Sequence, residues 1–282
     1  MSEHIEVRRT AKLFIGGAFP RSESGRTYEV KSHEGKFIAN AAQGSRKDAR
    51  DAVTAARAIQ PKWAGATAYN RGQILYRIAE MMEGRRAQFI DEVSPWAKSA
   101  KKAEAEVDEA IDRWIWFAGW SDKIAMVVGS SNPVAGPFFN FSVPEPTGVV
   151  AAIAPSRPSL LGLVDTIAPI IVSGNTTVVI ASEDAPMAAV TLGEVLATSD
   201  LPGGVINILT GSYAEVAPWL ASHMDVNAID LSGVENEKVA AELEKAAAEN
   251  LKRCLRPGTE LDGLTRIKNW LELKTVWHPR GF

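Results

Sequence analysis

Cys254 lies two residues beyond Lys252 and directly after Arg253, and a thiolate stabilised by such cations can attack a carbonyl carbon. Glu104, Glu106, Asp108 and Glu109 offer carboxyl groups that could share a proton-transfer task. The run Pro155-Ser156-Arg157 follows a short apolar stretch, where an α/β nucleotide-binding domain places its cofactor loop. Each of these has a simpler reading. Cys254 fits burial as a small hydrophobe, and the four acids fit the polar face of one helix. His223 reads as structural, and His278 as solvated beyond the last strand. No Ser/His/Asp triad, zinc spacing, Walker loop or GxGxxG is present, and no catalytic residue is assigned.

The elements that must position these residues follow from periodicity. Lys12 to Phe19 reads as a hairpin turning at Gly16-Gly17, followed by extended stretches at Thr27–Val30 and Phe37–Ala42. Ser45 is a helix N-cap, with Ala49, Ala52, Val53 and Ala56 at helical spacing after it. A second helix opens at Asn70-Arg71, and a third runs from Glu104 to Ile124. Trp114, Trp116 and Trp120 on that third helix invite a stacking platform, but bulky packing groups are the simpler account. Ser130 to Pro133 reads as a turn and Gly136 to Val143 as an extended ribbon. Strands at Gly148–Ala154, Thr176–Ile180 and Val205–Leu209 then alternate with helices near Leu160–Ser173 and Ala188–Thr198. Asp225–Leu231 is a further strand, Glu237–Asn250 a helix, and Lys268–Trp277 a terminal strand. Near-continuous apolar strands separated by helices imply an α/β fold, with a parallel sheet covered on both faces.

Composition narrows the function. The chain carries a net charge of -3, which argues against a nucleic-acid footprint. A single cysteine rules out a structural disulfide within the chain and suits a reducing cytoplasm. The N-terminal residues mix charges without the apolar core of a signal peptide. The longest apolar run, Leu160 to Val172, is broken by Asp165 and Pro169 and is too short to span a bilayer.

Taken in order, the motifs resemble the aldehyde dehydrogenase superfamily. They include Glu106-Val-x-x-Ala-Ile-Asp112, Ala118-Gly-Trp-x-Asp-Lys123, Glu145-Pro-x-Gly-Val-Val and Ile167-Ala-Pro. Gly174-Asn-Thr-x-Val-Val179, Leu201-Pro-x-Gly-Val-x-Asn-x-x-Thr-Gly211, His223-x-Asp-Val226, Asn250-Leu-Lys-Arg253 and Glu272-Leu-Lys-Thr-Val-Trp277 continue the series. The resemblance implies a Rossmann-type domain over 1–130 and 148–260, and a small β oligomerisation flap over 131–147 and 265–282. It implies vestigial cofactor positions at Pro155, Glu183, Gly211 and Gly233. Ser156 and Arg157 stand where the family has the Trp-Asn whose Asn serves the oxyanion. Ala181 replaces the Lys that holds the adenosine ribose. Ser232-Gly233-Val234-Glu235 replaces the Gly-Ser turn at the pyrophosphate. Pro257 falls near the general-base Glu, and the catalytic domain bearing the nucleophilic Cys is absent.

The retained part resembles the non-catalytic second copy of double-length aldehyde dehydrogenases. Its flap crosses to a neighbouring subunit, and the implied oligomerisation residues are Phe139, Phe141, Leu273, Val276 and Trp277. The expectation is a non-catalytic subunit that assembles with a full-length aldehyde dehydrogenase or with itself, in a structural or regulatory role. No tightly bound cofactor is expected, and NAD(P) binding is expected to be weak. No metal, nucleic acid or membrane is expected. The alternatives are an NAD(P)-sensing module and, third, an independent NAD-dependent oxidoreductase using Cys254.

Overall fold

The computed structural model describes residues 10–259 and 261–281; segment 1–9, read above for a signal peptide, lies outside them. The chain opens with β1 (Thr10–Ala11), β2 (Thr27–Lys31) and β3 (Phe37–Ala42). Helices α1 (Arg46–Ala64), α2 (Ala68–Glu83), α3 (Arg86–Val93), α4 (Ala100–Ala118) and α5 (Ile124–Val128) follow. Next come β4 (Ser130–Asn132), β5 (Phe138–Pro146), β6 (Val149–Ile153), α6 (Ser159–Val172), β7 (Thr176–Ile180) and α7 (Met187–Ala197). The last elements are β8 (Ile206–Leu209), α8 (Tyr213–Ala221), β9 (Ala228–Asp230), α9 (Glu237–Ala248), β10 (Arg253–Leu255), α10 (Gly263–Asn269) and β11 (Leu271–Pro279).

The central sheet is parallel throughout, in the order β10-β9-β6-β7-β8. Counted from β6 as the first strand, this is the 3-2-1-4-5 order of a doubly wound nucleotide fold. Every residue of β6, β7 and β8 is buried, which explains why these strands read as near-continuous apolar runs rather than alternating ones. Val150 and Ala152 face one core with α2, α4, α6 and α7. Val149, Ala151 and Ile153 face the other with α1, α8 and α9. The two-residue period of the strand thus feeds two separate cores.

Ser45 caps α1 through a reciprocal box. Its hydroxyl accepts from the Asp48 N–H, and the Asp48 carboxylate accepts from the Ser45 N–H at 2.8 Å. Trp114 is fully buried in the core, so the packing reading holds for it. Trp116 packs over Gly263, where any side chain would collide with the indole. The Gly16-Gly17 turn forms as expected, with both glycines at positive φ and Ile15 bridged to Ala18.

Several boundaries differ from the sequence reading. The second helix begins at Ala68 because Thr67, not Asn70, supplies the capping oxygen. The third begins at Ala100 under a Ser99 cap and stops at Ala118; Ile124 already belongs to α5. Ser130 to Asn132 is a strand, drawn into register by β5. Lys268 and Asn269 end a helix that Asp262 caps, with Ile267 and Trp270 buried at helical spacing. The terminal strand starts only at Leu271 and carries His278 inside it, opposite Phe139.

The flap is a three-stranded antiparallel sheet in the order β11-β5-β4, and β5 runs almost directly into β6. At its root, the Asn175 amide donates to the Trp270 carbonyl at 2.8 Å and accepts from the Gly148 N–H at 2.6 Å. Arg253 donates to the carbonyls of Asn269 and Leu271 and pairs with Glu272. Two side chains therefore buckle the flap to the central sheet.

Candidate functional site

In a doubly wound sheet, ligands bind outside the carboxyl ends of the strands, at the point where strand order reverses. Here that point lies between β6 and β9, and its crest holds Pro155, Glu183, Gly211 and Gly233. Each serves an internal contact or lies aside. Pro155 packs its ring on Gly162 of α6. Gly233 presses on the carbonyls of Ile153 and Ala154, so that a Cβ would drive into backbone. Gly211, at φ 109°, lies under the Gln43 side chain, which a Cβ would meet at 2.9 Å. The Gln43 amide in turn donates to Glu215. Glu183 is exposed and lines a polar cleft of about 380 Å³ with Tyr28, Trp96, Arg157 and Asp184. Burial, and secondarily the Glu183 charge, holds the Tyr28 phenol far above its usual pKa. The Arg157 guanidinium donates to the Trp96 carbonyl at 3.1 Å, which ties it to the rim.

Two of the helix N-termini around the crest, those of α6 and α9, are also engaged. A bare helix N-terminus offers free N–H groups and a partial positive charge to a phosphate. At α6, the Glu106 carboxylate accepts from the Leu160 N–H at 2.8 Å. Burial raises the Glu106 pKa, and the N–H groups of Leu160 and Leu161 oppose that rise. At α9, Asn236 accepts from the N–H groups of Lys238 and Val239 at 3.0 and 3.3 Å. Below that turn, buried Asp230 accepts from the Ser232 N–H at 2.9 Å, and burial raises its pKa.

Glu106 thus departs from the reading of four acids on a solvated face, because it is half-buried against the next layer. Asp108 keeps the surface role, paired with Arg86. The spacing of Asn236 ahead of Glu237-Lys-Val is an N-cap signal. Asp230, an acid inside an apolar strand, was also visible in the sequence. The partnership of Gln43 with Gly211 spans 168 positions of chain and left no local signal.

The remaining candidates do not converge. Cys254 lies half-buried on the edge strand β10, its sulfur directed at the Lys252 carbonyl. Burial, then the Glu244 charge, raises its pKa against the pull of Lys252 and Arg256. A thiol so held stays protonated and weakly nucleophilic at neutral pH. The His223 ring accepts from the Asp225 N–H within the α8–β9 turn. Among the described residues, no three His, Cys, Asp or Glu side chains cluster as metal ligands, and no helix is long and apolar enough to cross a membrane.

A dinucleotide fits this crest in one half only. Between α8 and α9 runs a groove of about 360 Å³ with apolar walls of Ala214, Pro218, Val239, Leu243 and Ala246, beside which stand the charged Lys238 and Glu242. The phosphate positions do not fit. Their N–H groups are taken by Asn236 and Glu106, and Glu235 and Glu237 stand exposed beside them.

The flap contrasts with the crest in exposure. Phe139, Phe141 and Val276 share one face, with the Phe139 and Phe141 rings 5.4 Å apart. Leu273 and Trp277 share the other, where Trp277 meets Phe138 edge-on. Leu273 and Trp277 are each 59% exposed and Phe139 is 44% exposed. A polar ladder stitches the three strands: Asn132 donates to Asn140 and Ser142, and Ser142 bonds Thr275 at 2.9 Å. Among the described residues, strand β11 pairs on one side only.

The sequence model of the aldehyde dehydrogenase family matches residues 19–263, a range that ends before β11. Retinal dehydrogenase 2 of Gallus gallus is 32% identical over 257 residues, covering 89% of this chain and 48% of its own length. Omega-crystallin of Enteroctopus dofleini is 30% identical over 254 residues, covering 88% of this chain and 50% of its own length. Betaine aldehyde dehydrogenase of Staphylococcus aureus, solved in complex with NAD+, superimposes with a TM-score of 0.81 at 25% identity, over 86% of this chain and 48% of that one. An aldehyde dehydrogenase of Bacillus cereus, also an NAD+ complex, gives 0.82 at 22% identity over 87% of this chain and 50% of that one, a likeness of fold.

Proposed function

This chain belongs to the aldehyde dehydrogenase family, and we propose that it serves there as a non-catalytic subunit, joining a full-length aldehyde dehydrogenase through its β-flap. The chain spans about half the length of the relatives it matches. The observation that carries the proposal is β11, a nine-residue strand with one edge unpaired among the described residues and exposed Leu273 and Trp277 upon it. Such an edge invites strand addition from another chain. Chemistry offers no competing use: the matching positions hold Ser156, Arg157 and Pro257, and the Cys254 thiol is held protonated. The setting proposed is the cytoplasm.

The test is co-expression of the tagged chain with a full-length family member, followed by size-exclusion chromatography. Co-elution is expected, and Leu273→Lys with Trp277→Lys should abolish it. Separate peaks, with partner activity unchanged, would sink the proposal. One observation favours nucleotide sensing as a second reading. The α8–α9 groove is present, and structural neighbours are NAD+ complexes. The closed phosphate positions limit that reading to weak NAD(P) binding.

A further inference from the structure

We infer that the free edge of β11 is self-complementary: two copies of this chain pair β11 against β11 about a two-fold axis at Thr275, and this dimer competes with a full-length partner for the one edge. The inference rests on the assembly reading only in taking β11 as the docking element.

The direction of the backbone groups follows from the two ends of the β11–β5 ladder. Just before β11 the Trp270 carbonyl accepts from the Thr147 N–H at 3.2 Å, and just after it the Arg280 N–H donates to the Pro137 carbonyl at 2.8 Å. Both pairs continue the register of the two strands, so the even-numbered residues of β11 bond to β5. Pro146 and Pro144, which have no N–H, accordingly stand opposite Leu271 and Leu273. Leu271, Leu273, Thr275 and Trp277 therefore present N–H and C=O groups to the free edge, and Pro279 presents its C=O alone.

A second β11 laid antiparallel, with Thr275 against Thr275, overlaps all nine residues of the strand and matches donors to acceptors along the edge. Leu273 then faces Trp277 of the second copy, twice by symmetry. These two side chains each stand 59% exposed, and the one pairing covers both. On the other face Glu272 meets His278 of the second copy, a carboxylate acceptor beside an imidazole donor. Glu272 keeps Arg253 and Lys274 keeps Glu145, so the charges at the seam remain paired. The neighbouring registers are worse. An axis at residue 274 sets Lys274 against itself, and one at residue 276 sets it against His278 of the second copy and shortens the overlap. The product is one continuous sheet, three strands from each copy, which leaves no β11 edge for another chain.

Sedimentation analysis of the whole purified chain reads the dimer. Thr275→Pro removes the central N–H donor of each copy while sparing the backbone bonds to β5. It should weaken the dimer at least about tenfold, with the circular dichroism unchanged. His278→Glu sets like charges opposite each other at two symmetric places and should weaken it about tenfold. In a Cys254→Ser background, Thr275→Cys should crosslink to itself through a short bis-maleimide, and Lys268→Cys, on α10, should not. A monomer at every concentration, a dimer indifferent to Thr275→Pro, or a Thr275→Cys chain that does not crosslink would each overturn the inference. A full-length aldehyde dehydrogenase should draw the dimer apart into a co-eluting heteromer but leave the crosslinked dimer alone; co-elution of the crosslinked dimer would overturn the competition. A dimer without any co-elution sinks the assembly reading and leaves this one standing, and co-elution of a chain that is monomeric alone does the reverse.

Discussion

The crest and the flap lie at opposite ends of the same sheet strand, and they treat their polar and apolar groups in opposite ways. At the crest, several groups that could greet a ligand are turned inward: Gly211 to Gln43, Gly233 to the β6 carbonyls, two helix ends to Glu106 and Asn236. At the flap, polar groups are satisfied across the strands while aromatic and aliphatic groups are left to solvent. A surface retained for binding a small anion shows open donors; a surface retained for another chain shows an open edge and exposed rings. Here the donors of two helix ends are occupied, while among the described residues the β11 edge is open and the rings are exposed.

The largest effect should come from cutting the flap's root. Asn175→Ala removes bonds to Gly148, Ser173 and Trp270 in a fully buried site. It should cost about 3 kcal/mol in denaturant unfolding, with hydrogen exchange rising first in β11. Uniform exchange across the sheet would instead mean that flap and crest are one cooperative unit. Arg253→Ala, which is partly exposed, should cost less, about 1–2 kcal/mol, and loosen the same strand. At the crest, Asn236→Ala should cost about 1 kcal/mol through loss of the α9 cap, without loosening β11.

Asp230 gives a test by pH. Its folded-state pKa is raised by burial, so its contribution to stability is present below the unfolded pKa and is lost as pH rises through the folded one. The carboxylate is therefore a liability at neutral pH that acidification relieves. Glu106 and Asp165 share that sign. Asp230→Asn should flatten the melting temperature against pH above the unfolded carboxyl pKa; an unchanged profile would mean that the carboxyl titrates alike in the folded and unfolded states. The smallest effect is expected from Leu273→Lys with Trp277→Lys. Stability should move by less than about 0.5 kcal/mol, while assembly is lost.

The parallel sheet was legible because β6 to β8 are buried on both faces and are mostly apolar, with only Thr176, Thr177 and Asn207 polar among them. The Ser45 cap and the hairpin at Gly16-Gly17 were legible for local reasons, a capping oxygen and a demand for positive φ. Strand β4 was not, since Ser130-Ser131-Asn132 has no strand propensity of its own and is held by Asn140 and Ser142 across the ladder. The start of β11 was misread because Trp270 and Leu271 are both buried, and alternation alone does not separate a helix cap from a strand. At the crest, the sequence showed which family residues were replaced. It did not show that Gln43 and Glu106 reach the crest, because those contacts are made between distant segments.

The pairing of β11 with β5 also has a consequence in time. Ser142 and Thr275 bond across 133 residues of chain, so during synthesis β5 emerges long before its main partner exists. Until then it holds only the three-residue β4, with Phe139 and Phe141 bare beside an open edge. That interval is when a nascent chain is most prone to wrong pairing. A chaperone, or a partner subunit already folded nearby, would find its target first on β5.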